Sequence, residues 1–177
     1  MKEMKEMKEM NLSEHLTSSS VAALSHSSEL DGLRLSPHFT LAELTKTRSG
    51  IKNVPNEAQV ENLKRVCRWL EQLRRRWNNL YGDGDDPIII NSGFRSPEVN
   101  RAVGGSPTSN HLTGCAVDIR VAGIEQLLRY AVILLDISDE SKEDFDELLI
   151  EKKGSVMWLH FAVRPTGNRR KVRLMQV

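Results

Sequence analysis

Two imidazoles and one carboxylate stand out by type and spacing. His111 and Asp118 bracket the segment His111-Leu112-Thr113-Gly114-Cys115-Ala116-Val117-Asp118, and His160 follows much later in Trp158-Leu159-His160-Phe161. Two nitrogens and one oxygen brought from separate segments are the donor set of a three-ligand zinc site with an open fourth position, where hydrolytic chemistry takes place. Strand periodicity agrees with such a site. Val117, Ile119 and Val121 share one face of a strand while Asp118 and Arg120 share the other, and Leu159, Phe161 and Val163 likewise oppose His160. Asp118 and His160 therefore face away from the apolar side, as a cleft built on one sheet face requires.

The elements that must position these residues read as helices first and strands after. Asn56 with Gln59 makes a capping box, after which Val60, Leu63, Val66, Cys67, Leu70, Leu73 and Trp77 recur at three- and four-residue steps as one face of a long helix. The turn-rich Gly82 to Pro87 leads to Ile88-Ile89-Ile90, read as a buried strand, and Ser96-Pro97 starts a short helix that ends near Gly104. Cys115 to Val121 reads as a strand and Ile124 to Leu135 as an amphipathic helix. Phe145 to Glu151 with Val156 to Val163 reads as a hairpin, and Lys171 to Val177 as an added edge strand. The fold class is α+β, helices packed on one mostly antiparallel sheet. A low-complexity, weakly ordered tail is expected over residues 1–32, opened by three Met-Lys-Glu triplets and rich in serine, with one domain over 33–177.

Composition narrows the partner. The 25 Lys+Arg nearly cancel the 24 Asp+Glu, so no global field favours a nucleic acid or an anionic membrane. Arg74, Arg75 and Arg76 form a basic run, but Glu61 and Glu71 interrupt that helix face, which reads as solvated rather than as a nucleic-acid stripe. Cys67 and Cys115 lack any metal or redox spacing, and Cys115 has the strand parity opposite to Asp118, so both are expected to be buried thiols. No run is long enough to span a membrane, and the first residues lack the pattern of a secretory signal. The expectation is synthesis in the cytoplasm, with anything outside the membrane reached by help from elsewhere.

The blocks around the triad resemble the M15 family of zinc D-Ala-D-Ala carboxypeptidase-like metallopeptidases, with a hedgehog/DD-peptidase-like fold. Ser109, His111, Gly114, Ala116 and Asp118 stand at the positions of its Ser-x-His-x-x-Gly-x-Ala-x-Asp block, and Trp158-Leu159-His160 at its Trp-x-His. Leu35 to Leu44, Asn53-Val54-Pro55 and Ser92-Gly93-Phe94-Arg95-Ser96 are similar to its earlier blocks, in the same order. The blocks closely resemble the subgroup common in bacteriophage lysins and bacterial wall-remodelling enzymes. The resemblance covers roughly residues 33–163 and leaves the basic segment Arg164 to Lys171 unexplained.

It implies Zn2+ on His111, Asp118 and His160, and hydrolysis of an amide in the peptide stem of peptidoglycan, as carboxypeptidase or endopeptidase. A non-catalytic, zinc-containing wall-binding or virion module is the alternative. Arg95 is placed to hold an oxyanion or a substrate carboxylate, Ser109 to orient His111 or meet substrate, and Trp158 to wall the cleft. A general base is also needed. Many relatives carry Glu three residues before the last histidine, where this chain has Met157. Glu147 and Glu151 on the preceding strand are both candidates: a tight turn over Lys152 to Ser155 would set Glu147 opposite His160, while Glu151 opposite His160 requires a longer loop or a bulge. The resemblance, through Leu148-Leu149-Ile150-Glu151, favours Glu151.

Overall fold

The computed structural model describes residues 32–177, so the tail expected over residues 1–32 lies almost wholly outside the described residues. A short helix α1 (Leu41–Thr45), capped by the Thr40 hydroxyl, precedes helix α2 (Glu57–Leu80). The reciprocal capping box is formed: the Gln59 amide donates to the Asn56 side chain (2.9 Å), and the Asn56 amide donates to the Gln59 side chain (2.8 Å). The apolar face read from the sequence is the buried one, with Leu63, Val66, Cys67, Leu70 and Leu73 fully enclosed. Helix α3 (Pro97–Ala102) starts at Pro97 behind the Ser96 cap, because a proline at the first turn gives up an N–H that has no helical partner anyway. Helix α4 (Ile124–Ser141) packs against α2.

Five strands form one sheet in the order β1-β2-β4-β3-β5: β1 (Ile90–Ser92), β2 (Ala116–Arg120), β3 (Glu147–Lys153), β4 (Val156–Ala162) and β5 (Lys171–Gln176). Neighbours are antiparallel except β3 and β5, which run parallel, so the class is α+β as expected. The two-residue turn Gly154-Ser155 joins β3 to β4. One sheet face carries Val117, Ile119, Leu148, Leu159 and Phe161 into the core, where Trp69 of α2 meets Phe145 and Phe161 at ring distances of 6.4 and 5.4 Å.

Three expectations are corrected. Ile88-Ile89-Ile90 is not a buried strand: Ile88 is buried, Ile89 is 42% exposed, and pairing begins at Ile90. Helix α4 runs past Leu135 to Ser141, since Ile137 and Ser138 continue the buried stripe. The β3–β4 register sets Leu149, not Glu147 or Glu151, opposite His160; Glu147 faces Ala162 and Glu151 faces Trp158. The two-residue turn shifts the pairing by two positions from the one that would have matched Glu147 with His160.

Candidate metal centre

His111 lies in a 3-10 helix, Asn110–Thr113, whose first turn is capped by the Ser109 hydroxyl accepting from the His111 amide (3.3 Å). Gly114 ends that turn at φ 72°, and a Cβ there would lie 2.6 Å from the Gln59 carbonyl oxygen of α2. Only glycine gives both the left-handed turn and the close approach. The Gly93 carbonyl lies 2.6 Å from His111 Nδ1, which assigns the proton to Nδ1 and leaves the Nε2 lone pair free. Gly93 is itself pressed on α1, with no room for a Cβ against the Leu44 carbonyl.

β2 and β4 complete the cluster. Asp118 pairs directly with His160 across the two strands, on the face opposite Val117 and Ile119. Asp118 Oδ1 lies 3.2 Å from His111 Nε2 and 3.0 Å from His160 Nδ1, and all three side chains are buried. Ligands about 2.0–2.1 Å from a tetrahedral ion stand about 3.3 Å from one another, so the spacing of these donor atoms fits a single metal ion. Burial alone would raise the Asp118 pKa, but the two imidazoles outweigh it and hold the carboxyl well below its usual range. Burial opposes protonation of His160, yet Asp118 and Glu147 outweigh it and push its pKa up to about 9. The site thus holds positive charge, proton or metal, in preference to none. It opens into a cleft of about 800 Å³.

Residues 37–134 match the family described as Peptidase M15. The chain belongs to the peptidase M15 family. It is also 38% identical over 85 residues to a protein of Streptomyces albus G named zinc D-Ala-D-Ala carboxypeptidase, a stretch covering 46% of this chain and 31% of that relative. The chain therefore spans less than a third of the length of the curated relative it matches. The family match contains His111, Asp118 and Arg95 and stops short of His160, so in this M15 chain the third donor is placed by the β2–β4 pairing.

Around the cluster of His111, Asp118 and His160, the structure brings the other sequence candidates to the same cleft. Arg95 forms an ion pair with Asp118 Oδ2 and donates from Nε to the Ser92 hydroxyl (2.8 Å). Ser109, Trp158, Glu147 and Glu151 line the walls. The Trp158 indole N–H and His160 Nε2 are buried without a hydrogen-bond partner among the described residues. Met157 is not on the cleft: regular alternation along β4 puts it on the face opposite His160, so a carboxylate at that position would not point at the triad here.

The two glutamates flank Leu149 but differ in surroundings. Glu147 Oε1 takes Lys171 Nζ at 2.8 Å and Arg169 Nη2 at 3.0 Å; Oε2 accepts from Asn110 (3.0 Å) and lies 3.6 Å from His160 Nε2. His160 and Lys171 hold its pKa well below the ordinary value. Glu151 is half-buried on the cleft wall and forms no ion pair among the described residues. The sequence reading did not find Asp146, Asn110 and Arg169. Asp146 is fully buried and held by Arg169, and its signal was a second carboxylate at the start of β3, beside Glu147 and of the opposite parity.

Proposed function

We propose that this chain is a zinc metallopeptidase that hydrolyses an amide bond in the peptide stem of bacterial peptidoglycan, as a carboxypeptidase or endopeptidase, in the manner of a wall-lysing enzyme. The observation that carries the reading is the convergence of His111 Nε2, Asp118 Oδ1 and His160 Nδ1 at the floor of an open cleft. Zinc held there supplies a Lewis acid for the carbonyl oxygen and acidifies water.

The chain's own residues do the rest. Glu151 takes the proton of the attacking water and returns it to the leaving amine, because its carboxylate lines the cleft and is engaged in no ion pair among the described residues. Glu147, neutralised by Lys171 and Arg169, is the weaker candidate and instead faces the outer nitrogen of His160. Arg95 has N–H groups beyond those given to Asp118 and Ser92, and these hold the oxyanion or a substrate carboxylate. Trp158 walls the cleft beside Glu151, its cross-strand partner. Ser109 acts through the turn it caps, fixing His111.

Digestion of purified peptidoglycan by the zinc-loaded protein, followed by mass spectrometry of the muropeptides, tests this and names the bond. His160→Ala is expected to abolish both stoichiometric zinc and product. Full activity of that variant, or a wild type that retains no zinc, overturns the proposal. A wild type that binds zinc and leaves the wall intact supports the wall-binding module instead.

A further inference from the structure

The basic segment Arg164 to Lys171 lies outside the family match, yet it touches the site through two carboxylates, Asp146 and Glu147. Asp146 is 0% exposed. Arg169 grips it with two parallel hydrogen bonds, Nε to Oδ1 at 2.8 Å and Nη2 to Oδ2 at 2.7 Å, and the Arg169 amide adds a third at 3.2 Å. On its other side Asp146 Oδ2 accepts from the Asn110 side chain at 2.8 Å, and Asn110 immediately precedes His111. The same Asn110 nitrogen reaches Glu147 Oε2 at 3.0 Å, and this oxygen faces His160 Nε2. Arg169 also touches Glu147 Oε1, together with Lys171. Both imidazoles are thus braced from one hub, His111 through Asn110 and His160 through Glu147.

We propose that Asp146 and Arg169 form a clamp by which the segment between β4 and β5 positions His111 and His160 for metal binding. Arg169 and Asp146 are positioning residues: neither touches the donor atoms. A planar guanidinium bound through two N–H groups fixes orientation as well as charge, and outer partners of ligand imidazoles set metal affinity. The connection is short enough for this role because β4 ends beside the start of β3, so residues 163–170 need only step over Asp146 to begin β5; the Lys171 amide donates to the Asp146 carbonyl at 3.0 Å.

The inference rests on reading the triad as metal ligands. It is tested on the full chain, stripped of metal and titrated with Zn2+ against a chromophoric chelator, with the thermal midpoint of the metal-free protein measured alongside. Arg169→Ala is expected to weaken zinc binding by about 10- to 100-fold. Arg169→Lys, which keeps the charge and loses the fork, is expected to recover only part of it. Asn110→Ala removes the link to His111 while leaving Asp146 paired, and is expected to lose affinity with little change in the metal-free midpoint; it carries the test if Arg169→Ala does not fold. Affinity within about twofold of wild type in folded Arg169→Ala or Asn110→Ala overturns the clamp and leaves the ligand assignment standing, since loss of a true outer partner costs about 10- to 100-fold. Absence of zinc binding by the wild type overturns the ligand assignment and the clamp with it.

Discussion

Glu147 and Glu151 sit four residues apart on one strand face, and their neighbours give them different work. Glu147 shares its charge with Lys171, Arg169, Asn110 and His160, whereas Glu151 is left without a cationic partner among the described residues. Glu151→Gln keeps the shape and removes the base, so kcat on peptidoglycan is expected to fall by about 10²- to 10⁴-fold while zinc affinity stays near wild type. Glu147→Gln is expected to do the reverse, weakening zinc binding more than it lowers kcat of the fully loaded protein. Parallel chelator competition and turnover measurements separate the two, and equal kcat in Glu151→Gln and wild type would transfer the base to another residue. Both glutamates were visible in the sequence because strand parity is simple. Their difference was not, since it depends on Asn110, Arg169 and Lys171 arriving from three other segments.

At the level of elements, regular periodicity carried over well and turn geometry did not. The face of α2 from Leu63 to Leu73, the Asn56 capping box and the alternation around Asp118 and His160 each follow from local spacing, and each is present. The β3–β4 register depends on where a turn closes, and any of the four polar or small residues from Lys152 to Ser155 suits a turn; Gly154-Ser155 makes it. The parallel seating of β5 was equally hidden, because it rests on the buried Asp146–Arg169 pair rather than on any repeat. Gly114 is a case where a motif residue has a purely steric reason: it joins the His111 turn to β2 at φ 72° and touches the first turn of α2. Gly114→Ala is expected to destabilise the metal-free protein by about 1–3 kcal/mol, read by urea unfolding, and to weaken zinc binding by displacing His111. An unchanged unfolding midpoint would mean that α2 and the turn separate more easily than their contact implies.

Over the whole molecule, two carboxylates fasten the segments that open and close the described fold. Glu71 of α2 accepts from the Ser36 hydroxyl (2.6 Å) and the His38 amide (2.8 Å), holding the segment before α1 onto the long helix. Asp146 holds Arg169 and so the segment before β5. Burial alone would raise both pKa values, but Ser36 and His38 at Glu71, and Arg169 and Asn110 at Asp146, outweigh it and lower them from their ordinary 4.5 and 3.8. A carboxyl whose folded pKa is depressed binds its proton more readily in the unfolded chain, so its stabilisation is complete above the unfolded value and is lost as pH falls through the folded one. Metal-free protein is therefore expected to lose stability in urea unfolding between about pH 5 and about pH 3, with a slope of up to about 1.4 kcal/mol per pH unit for each such group. Asp146→Asn should cost on the order of 1–2 kcal/mol at neutral pH, because charge-assisted hydrogen bonds to a fully buried carboxylate are lost while the half-exposed Arg169 head regains water. The same variant should also flatten the acid slope, and Glu71→Gln should flatten it independently, since the two sites share no partner. If the slope of Asp146→Asn matched wild type while its neutral stability fell, the pair would act by packing, and the charge on Asp146 would not be what ties the Arg164 to Lys171 segment to the sheet.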